Sequence, residues 1–480
     1  MRYTTGRHGY LAGLKKPLLV QRVRMKKITK SPDKSSFSSR RRFLRQALGA
    51  GASLMLGPAR GGVNMPSYPA IDPGKKIRIG LLFSQTGIMQ IYGRDQLRVS
   101  LMAIDEINRS GGINGALLEP LIRDPASQWP NYTRLVNELL AARVNLFWGC
   151  TPSASREATL PSVQRAGALL FYGVFYEGRE CSPNMVATGA VPNQLTATAI
   201  PWMMELAGYR IYIVGSNYIY PHTMSKQARL TIYWHGGEIV GNEFCSLDLN
   251  REEQFRQLVK DIVRKKPDWV LSNLVGESTG AFLQAFRREG LAADRMPILH
   301  TVMMESDLET IGAELMQGHF SSVNYYESID TEENRAFVSK VKSYVYTPYP
   351  QLPVANRVTA ISAGTYLGAM VNAEAMRRSN SAHPDAIREA VRGMEIRDPS
   401  GDLVKIDPRN LHTWLRPRIG QANAKGGFDI VYESPDLVRP EVFSPAMDPN
   451  RSCTKGGQFY IRGHLVRHPR SARKIVTQVD

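Results

Sequence analysis

Cysteine is scarce in this 480-residue chain, and long apolar runs are absent. Four widely spaced cysteines exclude a disulfide-rich scaffold and a zinc site built from cysteine alone. Since no stretch reaches about 18 consecutive apolar residues, we expect no transmembrane helix. The composition, with 43% hydrophobic and 22% charged residues, is that of a globular protein with a sizeable core, which excludes disordered, collagen-like and coiled-coil chains.

Familiar cofactor and catalytic patterns are also missing. The sequence has no P-loop and no His-Glu-x-x-His motif. The glycines at 111–115 follow a predicted helix rather than a strand, so they indicate a helix end and not a dinucleotide site. The nine histidines are scattered, and His412 is expected to be structural. We therefore expect no cofactor, no metal site and no enzymatic activity.

The net charge of +18 is concentrated at the two ends of the chain. Residues 1–60 hold 15 Lys and Arg against one acidic residue, and residues 451–480 hold 7 against one. The remaining 61–450 segment has a net charge of −2. Because the body is nearly neutral, we expect no nucleic-acid partner.

Residues 1–60 have the features of a bacterial export signal. A run of arginines at 40–42 precedes a weakly apolar stretch at 47–56, and small residues follow. These are the parts of a secretion signal, and the twin arginine favours the Tat route. We therefore expect a periplasmic protein, with a solvated basic tail or a nucleic-acid-binding arm as the alternative interpretation of residues 1–60. Met25 is an alternative start that would give a charged region of more usual length.

Short apolar stretches alternate with helical patterns along the body of the chain. The stretch 76–83 is apolar and bounded by turn residues, and Leu97, Leu101 and Ile104 then recur at helical spacing. Such alternation favours parallel sheets with helices on both faces, and about ten strands are too many for one open sheet. We therefore predict an α/β fold of two doubly wound parallel-sheet lobes. The expected strands are 76–83, 118–123, 144–149, 168–172, 210–215, 238–245, 269–274, 297–302 and 318–326, with a hairpin or meander over 403–432.

Ligands of doubly wound sheets bind beyond the carboxyl ends of the strands, and a cleft between two lobes is the default site. Tyrosines cluster after two of the predicted strands, where edge packing is the alternative to ligand contact. Ser153 follows a strand and begins a helix, so its hydroxyl and nearby N–H groups could meet a ligand carbonyl or anion. This lining would suit a small, planar, neutral or zwitterionic ligand. The candidate ligand-binding residues are Ser84, Thr151, Ser153, Tyr172, Val174, Tyr176, Tyr218, Tyr220, Gly276 and Met303.

Several stretches of the body resemble the type I periplasmic binding proteins of the urea and short-chain amide branch. This branch includes the amide-binding regulators of aliphatic amidase expression and the substrate-binding components of urea ABC transporters. The resemblance covers about 75–447 and implies two α/β lobes, joined by three crossovers, that close on a small ligand. The stretches are 80–87, 176–184, 191–194, 215–221, 319–331 and 426–432, of which 176–184 and 215–221 are the most specific.

The resemblance carries over to some candidate residues and departs at others. Thr151 stands where the family has a tyrosine, Val174 replaces a hydroxyl residue, and Met303 is bulkier than the family residue. Losing hydroxyls removes partners for an amide, so a less polar amide is as plausible a ligand as urea or acetamide. The residues that match the family pattern are Ser153, Tyr172, Tyr176, Tyr218 and Tyr220.

The leading hypothesis is an exported solute-binding protein that delivers a small amide-like or urea-like compound to the permease of an ABC transporter. The alternative is a ligand-sensing regulator resembling the negative regulator of an amidase operon, against which the export signal argues. A homodimer is possible. Cys150 and Cys181 either form a disulfide or remain buried thiols. The expected boundaries are a basic region and signal at 1–60, a first lobe at 75–192 and 326–398, a second lobe at 193–325 and 399–447, and a basic flexible tail at 448–480.

Overall fold

A computed structural model describes residues 67–246, 252–346 and 356–453. The predicted export signal and residues 454–480 of the predicted tail lie outside these ranges. The strands, in chain order, are β1 Ile77–Leu82, β2 Leu118–Arg123, β3 Leu146–Gly149, β4 Leu169–Tyr172, β5 Met185–Ala187, β6 Arg210–Ser216, β7 Glu238–Cys245, β8 Trp269–Asn273, β9 Ile298–His300, β10 Phe320–Val323, β11 Glu395–Arg397, β12 Leu403–Ile406, β13 Thr413–Trp414, β14 Arg418–Ala422 and β15 Phe428–Glu433.

The helices follow the predicted alternation. In chain order they are α1 Gln90–Arg109, α2 Trp129–Ala141, α3 Ser153–Arg165, α4 Thr196–Ala207, α5 Ile219–Trp234, α6 Glu252–Lys265, α7 Glu277–Arg288, α8 Glu305–Ile311, α9 Ala313–Met316, α10 Glu332–Ser343, α11 Ala360–Ser379 and α12 Pro384–Val391.

The first lobe is built on five parallel strands in the order β2-β1-β3-β4-β5. Five of the six residues of β1 are buried, as expected for a strand covered on both faces. Helix α1 buries the stripe that contains Leu97, Leu101 and Ile104. It ends before Gly112, which has a φ of +76° and would place a Cβ 2.3 Å from the carbonyl oxygen of Ala116.

The second lobe repeats this topology. Its parallel strands run β7-β6-β8-β9-β10, and the antiparallel strands β14 and β15 extend the sheet beyond β10. The chain passes between the lobes three times: after β5, after β10, and again before β14. On the second passage, α10 and α11 return to pack against α1. The predicted α/β class with two doubly wound lobes is therefore confirmed.

Some elements differ from the sequence predictions. The short strands β5 and β11 and the helices α8, α9 and α12 were not predicted, and the expected 403–432 meander is split between two sheets. Its first part, β12 and β13, joins β11 in a separate three-stranded antiparallel sheet. Its second part, β14 and β15, belongs to the second lobe.

The C-terminal segment of the described chain is fixed to the first lobe. The structure pairs Cys181 with Cys453, not with Cys150 as considered from the sequence, while Cys150 and Cys245 are buried free thiols. Arg179 also forms an ion pair with Asp448 at 2.9 Å. Residues 448–453, which were assigned to a flexible tail, are therefore anchored.

Candidate functional site

A small cavity lies where the two lobes meet. In the first-lobe sheet the strand order changes direction between β1 and β3. In the second-lobe sheet it changes direction between β6 and β8. Such switch points are where doubly wound folds bind ligands, because the loops on either side diverge there. The cavity has a volume of about 30 Å³ and is lined by Met89, Tyr92, Thr151, Pro152, Ser153, Val174, Phe175, Tyr218, Tyr220, Val275, Val302 and Ile361.

Half of the ten candidate residues line this cavity. They come from the segments that follow β3, β4 and β6, including the first residues of α3 and α5, so both lobes contribute. Tyr218 and Tyr220 both reach it, with ring centroids 6.4 Å apart. The five residues are Thr151, Ser153, Val174, Tyr218 and Tyr220.

The other candidates lie elsewhere. Ser84 is fully buried, 2.8 Å from the Tyr132 hydroxyl, and accepts from the Ser127 N–H at 2.9 Å, so it joins loops of the first lobe. Met303 is buried beside the cavity residue Val302. Gly276 faces a separate, larger cleft.

Tyr172 and Tyr176 are fully buried and lie next to Arg156. The guanidinium of Arg156 lies over both rings, 5.8 Å from the centroid of Tyr172 and 4.6 Å from that of Tyr176. These two tyrosines therefore do not line the cavity. Together with Arg156 they form a buried layer of the first lobe that supports the site.

A buried ion pair supports Ser153. The Ser153 hydroxyl donates to one oxygen of Glu177 at 2.5 Å, and Arg156 donates to the other at 2.8 Å. Both charged side chains are 3% exposed. Burial lowers the pKa of Arg156, but the neighbouring carboxylate outweighs this effect, and the net pKa is raised. We call Ser153, Glu177, Arg156, Tyr176 and His412 the buried network.

His412 completes the buried network as a neutral side chain. Burial lowers its pKa to about 4. Its Nδ1 lies 2.6 Å from the carbonyl oxygen of Asn410, which can only accept, so Nδ1 carries the proton. Its Nε2 then accepts from the Tyr176 hydroxyl. The structural role expected for His412 agrees with this geometry.

Sequence reasoning assigned no role to Glu177 or Arg156. Arg156 is three residues after Ser153 on α3, a spacing that places both side chains on one helix face. Glu177 was part of a motif used for the resemblance, but its charge was not interpreted. The helical spacing of Ser153 and Arg156, together with Glu177 in that motif, is the sequence feature from which the ion pair could have been predicted.

Three hydroxyls of the cavity direct their protons away from it. Ser153 donates to Glu177, Thr151 donates to Gln96, and Tyr220 donates to the Thr301 carbonyl at 3.3 Å. A hydroxyl has one proton and two lone pairs, so these groups retain only accepting capacity. The side chains that the structure places around the cavity include no charged residue.

A larger cleft of about 420 Å³ lies next to the small cavity. In contrast to the cavity, it is lined by charged side chains from both lobes. These are Arg94, Asp95, Arg98, Glu277, Asp307, Glu309 and Arg357.

The lobes are in direct contact. Tyr92 of α1 donates to Asp307 of α8 at 2.7 Å. Gln227 of α5 donates to the Glu177 carbonyl at 3.1 Å. Burial raises the pKa of Asp307 to about 6, although its bond to Tyr92 partly opposes this effect. These two hydrogen bonds join the first lobe to the second.

One hydrolase-like spacing was overlooked in the sequence. Residues 276–280 read Gly-Glu-Ser-Thr-Gly and follow β8. In a hydrolase elbow the serine occupies a strained turn and is exposed. Here Ser278 is 3% exposed within α7, and the left-handed residue is Gly276 with a φ of 56°. The spacing therefore does not form a nucleophile elbow.

Two absences hold for residues 67–246, 252–346 and 356–453. Within them, no group of three or more histidine, cysteine or acidic side chains is arranged to hold a metal ion. In the same residues, no helix combines the length and apolar character needed to cross a membrane.

Known proteins share this architecture. The family model of the periplasmic binding protein domain matches residues 77–449, more than three quarters of the chain. A leucine-, isoleucine-, valine-, threonine- and alanine-binding protein of Pseudomonas aeruginosa is 21% identical over 338 residues, covering 68% of this chain and 85% of that protein. A solute-binding protein of an ABC transporter from Rhodopseudomonas palustris BisB5, solved in complex with 3,4-dihydroxybenzoic acid, superposes with a TM-score of 0.67. It is 20% identical, over 76% of this chain and 98% of that chain, which shows a common fold.

A shorter similarity involves an enzyme. Limonene hydroxylase of Geobacillus stearothermophilus is 33% identical over 140 residues, which cover 29% of this chain and 24% of that protein. The chain thus matches about a quarter of that relative's length, so no activity of the enzyme is assigned to this chain.

Proposed function

This chain belongs to the periplasmic binding protein family, whose members are not enzymes, and we propose that it captures a small, uncharged, amide-like or urea-like compound for an ABC transporter. The observation that carries the proposal is the cavity lining. It is uncharged among the described residues, and the hydroxyls of Thr151, Ser153 and Tyr220 retain only lone pairs.

Such a lining favours a ligand rich in N–H donors. An amide or urea nitrogen can donate to Ser153 and Tyr220, since the protons of both hydroxyls are already committed. The ligand carbonyl can accept from the backbone N–H of Ser153, the first residue of α3, whereas the N–H groups of Ser155 and Arg156 already donate to the Pro152 carbonyl. Each end of an amide therefore has a partner in the cavity.

Charged ligands fit this cavity poorly. A buried charge is costly unless it is paired, and an amino acid brings an ammonium group that needs an acidic partner. Glu177 is the nearest carboxylate to Ser153, but Arg156 already neutralises it. For this reason the amino acids named for the Pseudomonas relative and the aromatic acid bound by the Rhodopseudomonas protein are not proposed as ligands.

Capture would proceed by closure of the two lobes. Tyr92 with Asp307, and Gln227 with the Glu177 carbonyl, are hydrogen bonds between the lobes that separation of the lobes would break. A ligand that touches both Ser153 and Tyr220 adds binding energy to the closed state alone, which shifts the equilibrium towards it.

Export by the Tat route, delivery to a permease and a possible homodimer are part of the same proposal. The arginines at 40–42 and the apolar stretch at 47–56 support export. The sensing role remains the competing proposal. Cell fractionation separates the two, because a periplasmic protein with a removed signal fits transport, and a cytoplasmic one fits a regulator.

Thermal melting against a ligand panel tests the proposed function. The panel contains urea, acetamide, butyramide, leucine and 4-hydroxybenzoate. A ligand at about 100 times its dissociation constant adds about 2.7 kcal/mol to the stability of the folded protein. We expect a shift with at least one neutral amide or urea and none with the charged compounds.

Two serine variants locate the binding. Ser153→Ala should abolish the shift, whereas Ser162→Ala should retain it, because Ser162 lies on the same helix and interacts with Arg165 instead. A shift that only the charged compounds produce would contradict the proposed ligand class.

A further inference from the structure

The small cavity and the large cleft are separated by a thin wall. At three places, consecutive residues face opposite spaces: Ile88 faces the cleft and Met89 the cavity, and the same holds for Ile91 and Tyr92. On the second lobe, Val275 faces the cavity and its neighbour Gly276 faces the cleft. The wall is therefore one residue thick on both sides.

An inter-lobe contact lies between these two sides. Tyr92 projects from the first lobe, its ring is 3% exposed, and its hydroxyl donates to Asp307 at 2.7 Å. Asp307 is held in turn by the Met304 N–H, which donates to its other oxygen at 2.9 Å. Both partners are fixed, since Asp307 is only 5% exposed.

We propose that Tyr92 and Asp307 form a partition that sets the maximum length of the bound compound. The inference rests on the proposed function, because it assumes that the small cavity is the ligand site. With the partition in place, a ligand is confined to the small cavity; without it, the ligand can extend into the neighbouring polar cleft of about 420 Å³. Tyr92 is thus a specificity-determining residue that excludes longer amides.

A homologous series of linear amides tests the size limit. Affinities for acetamide, propionamide, butyramide and hexanamide are measured by calorimetry on the full chain and on Tyr92→Ala. The wild-type protein should bind hexanamide at least about tenfold more weakly than its best short amide, a factor equal to about 1.4 kcal/mol. Tyr92→Ala should remove this discrimination. Equal discrimination in both proteins would overturn the proposal.

Three variants control for folding and for the hydroxyl. Tyr92→Leu keeps more of the apolar volume and replaces Tyr92→Ala if the latter does not fold. Tyr92→Phe keeps the ring and should retain most of the size limit. Tyr366→Phe is the matched control, because the Tyr366 hydroxyl also donates to a carboxylate, Glu106 at 2.8 Å, but lines neither space.

A second experiment needs no ligand. Val302 lines the small cavity and is 7% exposed, so Val302→Cys places a thiol behind the partition. The rate of its reaction with a charged methanethiosulfonate reagent is compared with and without Tyr92→Leu, and the same proteins lacking Val302→Cys correct for Cys150 and Cys245.

We expect the thiol to react about tenfold faster once the partition is opened, since access would no longer require opening of the lobes. An unchanged rate would overturn the partition even if amides bind. Conversely, faster labelling in a protein that binds no amide would retain the partition and contradict the proposed ligand, so the two failures are distinguishable.

Discussion

Glu177→Gln is the substitution that most severely tests the buried network. It removes one negative charge while keeping the size of the side chain. Arg156 would then remain 3% exposed, against the Tyr172 and Tyr176 rings, without its carboxylate. Ser153 would lose the strong acceptor that orients its hydroxyl.

The expected loss of stability is large. Removing one partner of a buried ion pair costs about 3–5 kcal/mol, because the remaining charge stays buried and uncompensated. Glu157→Gln is the matched control: Glu157 also lies near Arg156, at 3.7 Å, but its side chain is 50% exposed. An exposed pair contributes about 0–1 kcal/mol, so this variant should be almost neutral.

Guanidinium chloride unfolding followed by circular dichroism is the assay, since urea is itself a candidate ligand. Arg156→Met added to Glu177→Gln should recover most of the lost stability, because the uncompensated charge is removed. The same Glu177→Gln protein should bind its amide about tenfold more weakly as Ser153 loses its orientation. If Glu177→Gln and Glu157→Gln have equal midpoints, and Arg156→Met brings no recovery, the role assigned to the ion pair is wrong.

Three further predictions concern stability. Burial raises the pKa of Glu305 to about 8, above the 4.5 of the unfolded chain, so this carboxyl stabilises the fold at low pH and loses that effect as pH rises between these values. Glu305→Gln should therefore flatten the pH dependence of the unfolding midpoint in that window, and an unchanged slope would contradict the assignment. Cys453→Ser opens a disulfide that spans 272 residues, so the free energy of unfolding should fall by about 2–5 kcal/mol and the unfolding midpoint should no longer depend on reductant. If reductant leaves the unfolding midpoint of the wild-type protein unchanged, the bond is not formed. Gly173→Ala places a Cβ 2.6 Å from the Thr365 backbone, and a loss of about 1–3 kcal/mol is expected in the same assay; no loss would refute the close packing of this loop on α11.

Much of the fold follows from local patterns. Strands such as β1 and helices such as α1 are long enough to show a hydrophobic period and clear boundaries. Their predicted ends therefore lie within a few residues of the observed ones. Strand β5 has three residues and carries no period, so only its pairing with β4 defines it. The bond between Cys181 and Cys453 joins positions 272 apart, which no local pattern can indicate.

Less of the candidate site could be predicted from the sequence. Segments after strands could be located, and the structure places two of the candidates there, Ser153 and Tyr220, in the lining of the inter-lobe cavity. The ion pair of Arg156 and Glu177 was missed because charged residues are expected at the surface unless they are paired, and pairing is a long-range property. The contact of Tyr92 with Asp307 joins residues 215 apart and depends on how the lobes close.

The central claim is that the inter-lobe cavity selects an uncharged donor of N–H groups. Isothermal titration with acetamide and acetate tests it most directly, since the two compounds have nearly the same shape and differ in charge and in N–H donors. The claim predicts binding of acetamide, weakened by at least about tenfold in Ser153→Ala, and no measurable binding of acetate. Acetate binding with equal or higher affinity than acetamide, in the wild-type protein and in a manner that depends on Ser153, would contradict it.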